Sequence, residues 1–292
     1  MSKPARKQQD PTLKLLTERS SCRNFYARKI PERVLSQVLE AGVHAPTGGN
    51  LQPYSIIRIE KAQTRSKLAE LCGQAFIGQA PVDLLFCIDW HRSRRWAELE
   101  QAPFTATDSF RHFWISFQDT IICAQNICTA ADAVGLGSVY VGTVMDLMPD
   151  LRRILRLPEG VLPVVLLSLG YPRTRPSPRP KLGADVVVHR DWYRELPARE
   201  LRAAHDEKYQ HFGFEMKPEK LKRLEQACRK AHGAKFAREC VDGILRRGHI
   251  NMAQQYFGLH YFADVMPAHN DMFLKWMREF GFGWFRKWRP RR

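Results

Sequence analysis

Residues 44–54 read HAPTGGNLQPY. An amphipathic run precedes them and the β-branched run YSIIRIE follows at 54–60. Two prolines, two adjacent glycines, a threonine and an asparagine therefore crowd a single joint. As a connector these are turn residues, since Pro presets φ and Gly and Asn tolerate the left-handed region. As a binding element, the glycines let backbone approach a flat ligand, and Thr47 and Asn50 add polar groups. The stretch by itself does not decide between the two, but it fixes a helix-to-strand joint from which the neighbouring elements can be read.

Upstream, Asp10 and Pro11 read as a helix N-cap followed by Pro in the first turn, with Leu13, Leu15 and Leu16 as a short apolar face. Pro31 opens a second helix in which Val34, Leu35, Val38, Leu39, Gly42 and Val43 recur at helical spacing. Downstream, 54–60 reads as a strand and 63–72 as a helix. VDLLFCID at 82–89 reads as a strand buried on both faces. Residues 91–113 are aromatic, charged and aperiodic. A long helix is expected over 114–134, with Ile115, Ile121, Ile122, Ile127 and Ala131 inward and Gly135 and Gly137 ending it. SVYVG at 138–142 is a short strand, 146–155 a helix, and VLPVVLLSLGY at 161–171 a third buried strand. PRTRPSPRP at 172–180 must run extended.

After Trp192 strand-like runs stop. Pro218 opens a helix with Leu221, Leu224, Cys228 and Ala231 inward, and further helices are expected over 234–245, 250–266 and 268–280. This divides the chain into a mixed α and β domain, 1–194, and a helical, aromatic-rich, basic extension, 195–292.

The formal charge is +16 over 292 residues. It is spread evenly: 26 basic against 18 acidic side chains before residue 195, and 20 against 12 after it. So even a spread argues against a nucleic-acid arm, and no nucleic-acid partner is expected. The tail GFGWFRKWRPRR mixes Trp and Phe with Arg, a composition that suits a peripheral anionic membrane surface or an acidic partner through 282–292. No apolar run approaches the ~18 residues of a membrane span, and the start has no apolar signal region. Seven cysteines with no CxxC pair read as reduced thiols of a cytoplasmic protein, and the scattered His and Cys give no metal site.

Four separated elements carry chemistry. In RSSCR, 19–23, two guanidiniums four apart flank hydroxyls, a pattern suited to bidentate binding of a phosphate. The second is 46–54. The third is GLGSVYVGTV, where a strand end runs into Gly142 and Thr143. The fourth is Arg179-Pro180-Lys181. Each has a plain alternative: a solvated loop, a connector, a strand end, a linker.

In this order the elements resemble the FMN-dependent nitroreductase family, whose pattern appears here as RSSCR, IPERVLSQVLEAGVHAPTGGNLQPY, AADAVGLGSVYVG, LPEGVLPVVLLSLGYP and RPK. The resemblance covers roughly residues 12–193. Thr47 stands where Ser is usual and Tyr54 where Trp is usual. The resemblance implies an α+β, three-layer fold with a central mixed or antiparallel sheet, in place of the doubly wound parallel sheet that alternating helices and strands would give by default. It implies a domain-swapped homodimer with FMN at the subunit interface. By resemblance, Arg19, Ser20, Ser21 and Arg23 reach the ribityl chain, phosphate and pyrimidine edge. Arg179 and Lys181 close on the phosphate. Pro46, Thr47, Gly48 and Asn50 approach from the other subunit, and Gly142 and Thr143 lie by the ring. Arg23 gives electrostatic support and no catalytic acid or base is expected. NAD(P)H is then a co-substrate in a ping-pong cycle with a small-molecule electron acceptor, a nitroaromatic, quinone or similar compound. Trp96, Phe104, Phe110, Phe113 and Trp114 are expected to form a substrate lid. The rival reading is a non-catalytic flavin-fold protein whose extension covers the site and recruits a partner. His44 is expected to cap helix carbonyls.

Overall fold

A computed structural model describes residues 10–289. They form two compact units, residues 10–178 together with 274–289, and residues 179–273. This partition differs from a single cut after residue 194, because the end of the chain folds with its beginning.

The first unit opens with α1 (Pro11–Glu18), whose cap is as expected: the Asp10 carboxylate accepts from the Thr12 and Leu13 amides at 2.8 and 3.2 Å. Next come α2 (Glu32–Val43), β1 (Tyr54–Ile59), α3 (Ala62–Cys72), α4 (Phe76–Gln79), β2 (Val82–Asp89), α5 (Trp90–Leu99), α6 (Phe110–Ala133), β3 (Gly137–Val141), α7 (Met148–Leu155) and β4 (Val161–Gly170). The four strands make one sheet in the order β1-β2-β4-β3, antiparallel at every junction. The chain is therefore α+β, and the parallel default is excluded.

Every residue of β2 is buried, as its unbroken apolar run requires. Val82, Leu84 and Phe86 pack with Leu35 and Val38 of α2 and Ile127 of α6. Leu85 and Cys87 pack on the other face with Leu68 of α3 and Leu151 of α7. The helices thus form a layer on each side of the sheet. Phe280 and Phe282, each 1% exposed, complete the α3/α7 face. The Gly160 amide donates to Phe280 O at 2.8 Å and the Gly283 amide to Thr107 O at 3.0 Å. Burying two Phe side chains contributes about 1.5–3 kcal/mol each.

Two sequence expectations change here. Residues 91–113 are not all aperiodic: α5 forms because the Asp89 carboxylate caps it, accepting from the Arg92 amide at 2.9 Å. Its inward residues are Trp90, Ser93 and Ala97, two of them too small and mild to register as an apolar stripe. α6 begins at Phe110, not 114, capped by Ser109. Its buried face holds Ser116, Asp119, Thr120, Cys123, Ala124, Ile127, Cys128, Ala131 and Asp132, while Ile122 is exposed. Apart from Ile127, small and polar side chains let this central helix lie close to the sheet, while Phe110, Trp114, Phe117 and Ile122 face outward.

The second unit contains α8 (Ala184–Val187), α9 (Ala198–Lys208), α10 (Pro218–His232), α11 (Ala234–Arg247) and α12 (Met252–Gln254). α13 (Asn270–Glu279) follows. Leu224, Cys228, Ala237, Ile244 and Ile250 are the core of the second unit. The expected helix over 250–266 is broken: α12 passes into a π-turn at Gln255–His260, and Phe262 holds a φ of 40°. Among the described residues no helix is long and apolar enough to cross a membrane, and no group of His, Cys, Asp or Glu could hold a metal.

Candidate functional site

The strip 19–23 lies along β3. Ser21 and Ser138 form a parallel bridge, and the Cys22 amide donates to Ser138 O at 2.9 Å. Cys22 and Phe25 anchor it, packing with Ala80 and Val139. Gly137 permits the approach, since a Cβ there would lie 2.7 Å from Cys22 Cβ. The intervening polar residues are left at or near the surface: Arg19, Ser20 and Ser21 partly exposed, Arg23 exposed. The Arg23 guanidinium lies 5.9 Å from the Phe76 ring centre.

Behind the strip sits a carboxylate. Asp132, its side chain 4% exposed, pairs with Arg19 Nε at 3.4 Å and with Arg175 Nη1 at 2.8 Å. Arg19 Nη2 also donates to Ser138 Oγ at 3.5 Å, and Arg175 Nη2 to Leu136 O at 2.5 Å. Two fixed guanidiniums share one carboxylate, so the group keeps a net positive charge at the head of β3.

β3 carries the chain from Ser138 to Gly142 and Thr143. Apart from its chain neighbours, no atom of the described residues lies within 4 Å of a Cβ built on Gly142, so packing among them does not demand glycine there. Thr143 Oγ1 accepts from Gln74 Nε2 at 3.0 Å. Gln74 and Phe76 thus join Arg23 and Thr143 in one patch. Sequence reading missed both; the available signal was Gly73, a left-handed C-cap (φ 63°) that turns the chain between α3 and α4.

The stretch 44–54 sits elsewhere. His44 Nδ1 lies 2.9 Å from Glu40 O, the helix-end cap expected of it. The Gly48 amide donates to both Asp119 oxygens, at 3.1 and 3.2 Å. A Cβ on Gly48 would stand 2.7 Å from Ile115 Cγ2. Gly49, Asn50 and Gln52 all hold positive φ (61°, 54° and 49°), and Thr47 Oγ1 accepts from the Gln52 amide at 3.3 Å. Pro46, Gly48 and Asn50 remain exposed. Tyr54 is buried, with Gln52 Nε2 3.4 Å from its hydroxyl. Asp119 and Asp132 are thirteen positions apart on α6, about 20 Å at 1.5 Å per residue. Within one chain, then, 46–50 and the Asp132 end of the 19–23 strip lie at distant points of one helix. Arg179 and Lys181 belong to the second unit, where both are exposed.

The aromatic residues of 91–114 divide. Phe104 and Phe113 pack against the main core, Phe104 edge-on to Trp90 at 6.1 Å and Phe113 stacked on Trp284 at 5.0 Å. Phe110 also meets Trp284, at 5.2 Å. Trp96 and Trp114 are exposed. In the tail, Phe282 is buried while Trp288 is exposed.

Residues 16–171, more than half of the chain, match the nitroreductase family model. The chain belongs to the nitroreductase family. Among its nitroreductase-family relatives, the NADPH-flavin oxidoreductase of Vibrio harveyi is 34% identical over 63% of this chain and 75% of that protein. The oxygen-insensitive NADPH nitroreductase of Salmonella typhimurium is 32% identical over 68% of this chain and 80% of that protein. The structure of the hypothetical oxidoreductase YcnD from Bacillus subtilis has a TM-score of 0.73 and 25% identity, covering 94% of this chain and 98% of its own. The likeness in fold therefore extends through the helical residues beyond 195.

Proposed function

We propose that this chain is an NAD(P)H-dependent FMN oxidoreductase that works by a ping-pong cycle, with an organic acceptor such as a nitroaromatic or a quinone. Membership of the nitroreductase family supports the NAD(P)H-dependent oxidoreductase activity and FMN as cofactor. The observation that carries the assignment to these residues is the continuity of the 19–23 strip with Gly142, Thr143 and Gln74 along β3.

The residues fit the cofactor. Guanidiniums and hydroxyls at 19, 20, 21 and 23 offer the donors that a phosphate and a ribityl chain accept from. The open space at Gly142 suits close approach of a flat ring. FMN supplies hydride acceptance from NAD(P)H and hydride donation to the acceptor; the protein supplies binding, orientation and charge. Asp132 holds Arg19 and Arg175 in place. Arg23, its guanidinium 5.9 Å from the Phe76 ring centre, would supply positive charge to favour the reduced flavin.

A second copy of the chain supplies the loop 46–50. One chain keeps that loop beside Asp119 of α6, about 20 Å along the helix from Asp132. The outward face of α6 shows Phe110, Trp114, Phe117 and Ile122, and α1 shows Leu13 and Leu16, all more than a third exposed. Apolar surface of this kind marks an association face. In such a homodimer Arg179 and Lys181 close on the phosphate.

The test is anaerobic stopped-flow reduction of the FMN-loaded protein by NADH and NADPH, followed by reoxidation with a panel of acceptors, with light scattering for the dimer. Bleaching on reduction and recovery with a quinone or nitroaromatic supports the reading. A protein that stays colourless with added FMN overturns it.

A further inference from the structure

The second unit is organised around the hairpin of α10 and α11, which turns at Gly233 with a φ of 91°. Leu224 and Ile244, 2% and 0% exposed, are equidistant from residue 234 and meet in one core. Cys228 and Cys240 are equidistant from residue 234 as well. They occupy the next facing positions of the same hairpin, and both belong to that core. The two side chains face each other across the α10–α11 hairpin core. Both line a cavity of about 510 Å³ together with Leu224, Phe236 and Phe257.

We infer that Cys228 and Cys240 are a redox-active dithiol that closes to an intramolecular disulfide when a small disulfide oxidant reaches it. The two thiols are not equivalent. Of the seven cysteines, Cys240 alone is not buried. Its Sγ lies 3.5 Å from Gln254 Nε2, an amide donor aimed at the sulfur that must carry charge. Gln254 is held by a capping box with Asn251 and by Arg247 Nη2, 2.7 Å from its Oε1. Burial, reinforced by Cys240 itself, pushes the Cys228 thiol up to about 12, so Cys228 is the resolving partner.

The chemistry balances with oxidised glutathione as the oxidant. The Cys240 thiolate attacks one glutathione sulfur, the glutathione S–S bond breaks, and one glutathione thiolate leaves. Cys228 then gives up its proton and attacks the Cys240 sulfur of the mixed disulfide, releasing the second glutathione. Two protein thiols lose two hydrogens and two electrons, and the oxidant gains them as two thiols. The product ties α10 to α11 across the cavity. The other five cysteines are buried in the first unit, which makes them poor competitors. The proposal does not depend on the flavin reading.

The test treats the full chain with oxidised glutathione, alkylates remaining thiols, and maps tryptic peptides without reduction. The expected result is a linked pair of the peptides carrying Cys228 and Cys240, a loss of two titratable thiols, and reversal by dithiothreitol. Cys228→Ser is expected to stop with one glutathione on Cys240, and Cys240→Ser to carry none on Cys228. Three outcomes overturn the proposal: no change in thiol count, a glutathione adduct that persists on Cys240 in the parent chain, or Cys240 bridging to a second copy.

Discussion

The Gly48 amide donates to the Asp119 carboxylate at 3.1 Å, tying a loop with three positive-φ residues to the middle of α6. Asp119 is buried, which pushes its pKa up, and the amide bond pulls in the opposite direction. Asp119→Ala removes the anchor while leaving the exposed residues of the loop unaltered. FMN retention should fall by about tenfold, the equivalent of one charge-assisted hydrogen bond of ~1.5 kcal/mol. Gly48→Val should fall further, because its Cβ would start 2.7 Å from Ile115. Equilibrium dialysis against free FMN reads both. If Asp119→Ala, Gly48→Val and Asn50→Ala all hold FMN like the parent, the stretch 44–54 is only a joint.

Asp132 gives a second prediction. It is the buried partner of both Arg19 and Arg175. Asp132→Asn keeps the shape but removes the charge and one of the two acceptor oxygens, so the two guanidiniums repel and one of them loses its partner. FMN affinity should drop severalfold, and urea unfolding should show a loss of about 1–2 kcal/mol, discounted because both arginines reach solvent. An unchanged flavin affinity would mean that Arg19 is positioned by the strip alone.

The parts of this design that sequence displays best are those with a period or a special residue. β2 and β4 are visible as unbroken apolar runs, and Asp10-Pro11 as a cap. The resemblance supplied the antiparallel sheet, which alternation of helices and strands would have misread. α5 was illegible because Ser93 and Ala97 carry its buried stripe. On α6, Ile127 and Ala131 face inward as the sequence indicates, but Ile122 does not, because closeness to the sheet selects Ser116, Thr120 and Ala124. Asp132, Arg175 and Gln74 were invisible because their partners lie far off in sequence, Asp132 being 113 positions from Arg19. Long-range pairing of this kind leaves no local pattern.

The return of the chain end predicts the fate of truncations. Phe282 is 1% exposed in the main core, and Phe113 meets it edge-on at 6.2 Å. Phe282→Ala should destabilise the first unit by about 3–5 kcal/mol, read as a lowered urea midpoint at unchanged slope. Trp288→Ala, at an exposed position, should cost less than ~0.5 kcal/mol. Equal effects would mean that the tail is not part of the core.

Asp83 makes stability depend on pH. It is fully buried in β2, accepts from Ser168 Oγ through one oxygen, and leaves Oδ2 without a partner. Burial raises its pKa to about 7, against 3.8 for a free carboxyl, outweighing the Ser168 bond and the nearby Arg65 charge. The folded state therefore holds this proton more tightly than the unfolded chain. The stabilisation is complete below about pH 4 and is lost as pH rises through about 7. Across that window Asp83 should remove on the order of 2–4 kcal/mol. Asp83→Asn keeps an acceptor for Ser168 and cannot ionise. Its unfolding free energy should exceed that of the parent at pH 8, and the difference should shrink towards pH 5. Denaturant titrations of both proteins at four pH values check this; parallel curves would mean that Asp83 stays charged in the fold.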